Sequence, residues 1–173
     1  MQATRDATVT RLTVGDLDEL LAAIRRSHDL HYPWVEPPTN RMALERYLLG
    51  SGEHCIRYGV RIPSGTLAGV VNVNGIVRGA FQNGFLGFYA LVPHQGQGWL
   101  RAGLIHVIGC AFGRHELHRL EANVQPGNER SAALVRSLGF RWEGHSLRYL
   151  RVAGQWRDHD RYALTAEEWG GKA

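Results

Sequence analysis

Apolar and polar residues alternate along "ATVTRLTV", residues 7–14, which is the period of a strand with one buried face. The period then lengthens. Asp16 stands where a helix cap belongs, and Leu17, Leu20, Leu21 and Ile24 fall on one helical face as far as about Ser27. "HDLHYPWVEPPTN", residues 28–40, is rich in proline and aromatic residues and reads as a loop too polar for a core. A second helix is predicted from about Met42 to Leu49. "CIRYGV" and "LAGVVNVNGIV" follow as strands around the turn "PSG". "GFLGFYALV" is apolar nearly throughout, which places it centrally in a sheet.

After the glycines of "HQGQGWL" the helical period returns, with Leu100, Leu104, Val107, Ile108, Ala111 and Phe112 on one face. "HRLEANV" reads as a strand. "PGN" turns into a short helix with Leu134, Val135 and Leu138 as its buried stripe, and Gly139 ends it. Two strands close the chain, about Glu143 to Val152 and Arg157 to Thr165, joined at Ala153-Gly154. The order is strand, two helices, three strands, helix, strand, helix, two strands. This is an α+β fold, one sheet with helices on both faces, without the regular alternation of a doubly wound fold.

Length and composition narrow the picture. The 173 residues suit a single domain, 1–173, with a sizeable core. At 44% hydrophobic and 21% charged, the chain reads as soluble and globular. No apolar run reaches the length of a membrane span, so no membrane partner is expected. "MQATRDATVT" lacks the apolar stretch of a secretion signal, and a cytoplasmic location is expected. Cys55 and Cys110 stand far apart and read as small core hydrophobes in a reducing compartment. The formal charge of +4 favours anionic ligands but is too small to imply nucleic-acid binding by itself.

The turn in "LVPHQGQGWL" is the first candidate for chemistry. Free amides at a helix start and the helix dipole form an anion site, and Gly96 and Gly98 let a phosphate approach the backbone. A plain structural turn is the alternative. The Gly-Lys-Ser/Thr ending of a mononucleotide loop is missing, and Arg101 stands where a dinucleotide fingerprint needs its third glycine.

About thirty residues later comes "ANVQPGNERSAALVRSLGF", a strand, a Pro-Gly-Asn turn and a short helix ending in Gly-Phe. Together the two segments resemble the GNAT superfamily of N-acetyltransferases, which move an acetyl group from acetyl-CoA to an amine. Gln95, Gly98 and Leu100 occupy the places of its Gln/Arg-x-x-Gly-x-Gly/Ala pattern. Leu100 departs from the small residue usual there, as in the branch of ribosomal-protein alanine acetyltransferases of the RimJ/RimL type. "NGIVRGAFQNGFLGF", "NERSAALVRSLGFRWEG" and "YLRVAGQWRDHDRYAL" carry further likeness to that branch, and RimJ is the nearer of the two. The likeness spans roughly residues 5 to 169 and is most specific between Val77 and Leu164. It implies a GNAT fold, a mixed and mostly antiparallel sheet splayed between its fourth and fifth strands.

The resemblance also implies roles. Amides of Gly96, Gln97, Gly98, Trp99 and Leu100, with Gln95 beside them, hold the pyrophosphate. The strand end Ala90, Leu91 and Val92 pairs with the pantetheine arm, and the Leu91 N–H polarises the thioester carbonyl, provided that "EANV" splays away. Asn128 bonds the cofactor arm, or merely caps its helix. Ser131 attends the leaving sulfur, because Val135 stands where many members carry a tyrosine. Phe85 and Arg148 stand where relatives place acidic bases, so no base is inherited by motif. Trp34, Glu36, His145 and Tyr149 are candidate acceptor contacts, and Glu143 reads as structural. "HELH", His115 to His118, lacks a zinc-protease spacing, and no metal is expected.

The reading favoured by this pattern is direct acetyl transfer from acetyl-CoA to a protein N-terminal α-amine. A small-molecule or aminoacylated antibiotic amine is the competing acceptor. A non-catalytic module that binds CoA or RNA is the third class. Arg148, Arg151, Arg157 and Arg161 would then contact ribosomal RNA, or else form an ordinary solvated strand face. The oligomeric state is left open.

Overall fold

The computed structural model describes residues 6–170. Its strands are β1 (Thr8–Arg11), β2 (Ile56–Arg61), β3 (Leu67–Val77), β4 (Asn83–Ala90), β5 (Arg119–Val124), β6 (Arg141–Val152) and β7 (Gln155–Thr165). The helices are α1 (Leu17–Arg26), α2 (His28–His31), α3 (Arg41–Leu49), α4 (Trp99–Phe112), α5 (Glu129–Ser137) and α6 (Ala166–Gly170). One seven-stranded sheet runs β1-β2-β3-β4-β5-β7-β6. Every pair is antiparallel except β4 with β5.

Each face of the sheet carries its own core. On one face α1 and α3 bury Leu20, Ile24, Leu44 and Leu48 against Val70, Tyr89 and Leu91. On the other, α4 and α5 bury Leu104, Val107, Ile108 and Val135 against Val60, Val71, Leu120 and Leu164. Strand β4 presents Tyr89, and Leu91 just past its end, to the first layer and Leu86 to the second, as period-2 alternation requires. Its central place in the sheet agrees with its apolar sequence. Helix α4 lies close because Gly103 has no side chain. A Cβ there would stand 2.2 Å from Cγ2 of Val60.

Three local expectations are corrected. Thr13, not Asp16, makes the first cap. Its Oγ1 accepts from the Gly15 N–H (3.2 Å) within a 3-10 turn, Val14–Asp16, and Asp16 accepts from the Thr13 N–H (2.8 Å). Asp16 makes no cap bond to α1 and pairs with Arg61 at 2.6 Å instead. The loop after Ser27 contains α2, and His31 at its end is buried. Its polar ring sits in the interior because Nε2 donates to the Ala90 carbonyl (2.8 Å). Cys55 and Cys110 are half-buried rather than core, and Cys55 Sγ bonds Asn74 Oδ1.

Candidate active site

Turn and helix start form the first part of the site. Gln95, Gly96, Gln97 and Gly98 are exposed between β4 and α4. Gly96 has φ 72° and Gly98 has φ 86°, a left-handed region open to glycine at little cost. Gly98 is the N-cap of α4 and supplies no side-chain cap. The first bond of the helix runs from the Ala102 N–H to the Gly98 carbonyl (3.1 Å), so the amides before it have no carbonyl of α4 to bind. A Cβ on Gly96 would meet nothing within 4 Å, so this backbone borders open space. Gln97 folds back onto the Pro93 carbonyl (2.9 Å), and Trp99 Nε1 donates to Gln97 (3.2 Å). No acidic residue stands in the first turn of α4. These features fit a pyrophosphate. Leu100, the departure from the small residue, turns its Cδ1 to within 3.0 Å of the place a Cβ would take on Gly69, so bare β3 backbone makes room for it.

An opening in the sheet forms the second part. The β4–β5 ladder has three rungs, Asn83–Arg119, Gly84–Leu120 and Phe85–Glu121. Among the described residues, the edge of β4 beyond Phe85 that faces β5 has no strand partner. The groups at the end of β4 are assigned differently from the expectation. The Leu91 N–H donates to the Ala68 carbonyl (2.9 Å), and the Leu91 carbonyl accepts from the His94 N–H (2.9 Å). Leu91 is fully buried. The Val92 N–H donates to Ser27 Oγ (3.0 Å). Leu91 and Val92 amides are therefore engaged inside the protein and do not face a thioester. Leu91 opposes Ala68 as a hydrogen-bonded pair, so Ala90 opposes Gly69 as a non-bonded pair. The N–H and C=O of Ala90 point into the opening, and the carbonyl is the one that His31 binds.

The third part is the start of α5. Asn128 Oδ1 accepts from the Ser131 N–H (3.2 Å), the cap that its sequence allowed. Ser131 is half-buried one turn along, and Val135 is fully buried in the core. Phe85, at the base position of relatives, lies beside Gly75.

The acceptor candidates separate. Trp34 lies near the mouth of the opening, its Cη2 3.7 Å from the place of a Cβ on Gly127. Its carbonyl and that of Pro33 accept from Gln125 Nε2 (3.0 and 3.2 Å), just past β5. Glu36 accepts from the Ala153 N–H (3.0 Å), tying this loop to the β6–β7 turn. His145 has both ring nitrogens on carboxylates, Asp160 at 3.0 Å and Asp158 at 3.7 Å, so it is not a free contact. Tyr149 tilts against buried His159, ring centroids 5.9 Å apart. Glu143 binds Arg119 and Arg141 and is structural, its carboxyl held at about 2, chiefly by Arg119. Arg148 and Arg151 are exposed whereas Arg157 and Arg161 are half-buried, so the four do not form one open basic face. His115 bonds Tyr58 in the interior and His118 pairs with Glu167.

Sequence reasoning missed Ser27, His31 and Gln125. A signal was present. Leu20, Ile24, Ser27 and His31 continue a single helical stripe, so the buried face runs past the expected helix end. Burial pushes the His31 imidazole below its usual range, against the opposing pull of its bond to Ala90. Burial likewise lowers His159 and holds the Tyr89 phenol well above its ordinary value.

A glycine turn, an open strand edge and a polar helix start are set in one mixed sheet. Residues 7–141 match the family described as the acetyltransferase (GNAT) domain, and the chain belongs to that family. It is 39% identical over 103 residues to the [ribosomal protein uS5]-alanine N-acetyltransferase of Escherichia coli (strain K12), covering 60% of this chain and 53% of that protein. The chain thus spans about half the length of the curated relatives it matches. Mycobacterium smegmatis RimJ, solved in complex with CoA-disulfide, superimposes with a TM-score of 0.85 at 26% identity, over 94% of this chain and 83% of that one. The spermidine N-acetyltransferase of Vibrio cholerae, solved with CoA and spermine, shares the fold at TM-score 0.80 and 21% identity, over 94% and 97% of the two chains.

Proposed function

We propose that this protein transfers the acetyl group of acetyl-CoA directly to the α-amine of a protein N-terminus, of the kind carried by alanine-starting ribosomal proteins. The observation that carries the acceptor is the 39% identity to the uS5-alanine acetyltransferase. When bound, acetyl-CoA supplies the activated acetyl group as a thioester. The amides of Gly96, Gln97, Gly98 and Leu100 hold its pyrophosphate, with Trp99 and Gln95 flanking them. Ala90 N–H, rather than Leu91 N–H, is the main-chain donor directed at the thioester carbonyl, and donors aimed at developing charge are strongly catalytic. Asn128 Nδ2 contacts the arm. The Ser131 hydroxyl orients the sulfur by hydrogen bonding, since a hydroxyl is a weak acid. Trp34, Glu36 and Tyr149 border the acceptor, with Trp34 walling it beside the Gly127 turn.

A small polyamine or aminoacylated metabolite is the second reading, favoured by the shared fold with the spermidine enzyme. Incubation with acetyl-CoA, peptides starting with Ala or Ser, and small amines, followed by mass spectrometry, separates the two. Acetylated peptides are expected. Acetylation of polyamines alone would assign the second acceptor. In Ser131→Ala, turnover is expected to fall about tenfold or more with CoA affinity unchanged. Unchanged turnover would remove Ser131 from the mechanism.

A further inference from the structure

The end of β4 is held by one stretch of chain. Ser27 Oγ accepts from the Val92 N–H, and His31 Nε2 lies 2.8 Å from the Ala90 carbonyl. A carbonyl only accepts, so Nε2 must carry the ring proton in this bond. In the neutral imidazole the lone pair is then on Nδ1. That atom is buried and has no hydrogen-bond partner among the described residues. His31 as a whole is 4% exposed, and its ring stands edge-on to Tyr89 with centroids 5.0 Å apart. A buried acceptor left unmatched is uncommon and calls for an explanation, of which a partner that arrives with substrate is one.

We propose that His31 is the general base of this acetyltransferase, with Nδ1 taking the proton of the acceptor ammonium. The position follows from the fold. Ala90 is the last residue of β4 whose main chain faces the opening toward β5, and His31 is bonded to it. Phe85 and Arg148, where relatives carry acids, supply no base. The groups that face the ring are Tyr89 of β4, which interacts with Tyr47 of α3, and His28 of α2. None is a carboxylate, so at neutral pH the ring is uncharged and its lone pair is available. The inference rests on the acetyl-transfer chemistry proposed above, not on which amine is the acceptor.

The step balances as follows. An ammonium N–H bond breaks, its electron pair stays on nitrogen, and the proton passes to Nδ1. The amine nitrogen bonds to the acetyl carbon as the C–S bond breaks, and a second amine proton ends on sulfur. The His31 imidazolium then releases its proton to solvent. Nδ1 has no exposed surface in the free protein, so the proposal requires residues 32–36, tied by Gln125 and by the Glu36 bond to Ala153, to part as the acceptor enters.

Two measurements test this. Imidazole nitrogen NMR on the ligand-free protein should find His31 as the Nε2–H tautomer, titrating below 6.5; an Nδ1–H tautomer would overturn the inference. The second compares His31→Gln, whose amide can still donate to Ala90, with the wild type on an amine that the wild type acetylates. At pH 7 kcat should fall about 100-fold with CoA affinity unchanged. The deficit should shrink as pH rises past about 8, where an α-amine is already neutral. A low-pKa amine, unprotonated at pH 7, should be acetylated by both proteins at similar rates. A deficit equal at every pH and with every amine would mean a structural role, and no deficit would mean no role. Calorimetry of CoA binding and a melting curve distinguish a misfolded variant from these outcomes. Absence of any acetylation by the wild type would instead refute the acetyltransferase reading, and the NMR arm would still decide the tautomer.

Discussion

At the residue scale, most departures from expectation concern where a proton or lone pair is committed. Leu91 looked like the oxyanion donor, but its N–H pairs with Ala68 and the opening is faced by Ala90. A sequence cannot show this, because one position along a strand reverses the direction of every backbone group. Glu143 was legible as structural, and its two arginines give it a measurable signature. Its carboxyl titrates at about 2 instead of 4.5, so its contribution to stability is complete above 4.5 and is lost as pH falls toward 2. Melting temperature should decline over that window, and less steeply in Glu143→Gln. Histidines give the opposite edge of the pH range. His31, His115 and His159 are each held below 6.5, chiefly by burial. The unfolded chain takes up their protons first, so stability present above 6.5 is lost as pH drops below it. In His115→Gln the decline from pH 7 to 5.5 should be shallower in a thermal melt.

At the element scale, helical stripes were the most legible feature and helix ends the least. Leu104, Val107, Ile108 and Ala111 are buried on α4 as their spacing predicts. Asp16 was misread because Thr13, three residues earlier, forms the reciprocal cap with it. The region of α2 was misread because its histidine looked polar, although it extends the stripe of α1. Gly103 is the test of how α4 seats on the sheet. Gly103→Ala places a methyl group against Val60, and urea titration should show a loss of about 1–3 kcal/mol. Val60→Ala in the same chain should restore part of it. At the other end of this element pair, Gly96→Ala imposes φ 72° on a residue with a Cβ and puts a methyl group into the open space proposed for the anion. CoA affinity should drop about tenfold by calorimetry, a typical single-contact loss.

At the scale of the whole molecule, the strand order was beyond periodicity. β5 pairs with β7 before β6 because the chain doubles back through a hairpin, and such pairings join residues remote in sequence. The splay after the fourth strand was implied by the resemblance, and the three-rung ladder is its form here. Hydrogen exchange gives the corresponding prediction. The Leu91 and Val92 amides should be protected in the free protein, whereas Ala90 should become protected only when CoA is added. Equal protection of all three before addition would contradict an open edge. That edge also bears on what the protein excludes. A strand edge on the outside of a sheet invites any passing chain to pair with it. Here the unpaired edge lies inside a wedge, with β5 as its far wall and residues 33–34 tied across to Gln125. Sheltered there, the edge is not offered to a passing chain, so the recess proposed for the cofactor arm also keeps the sheet from pairing through its middle.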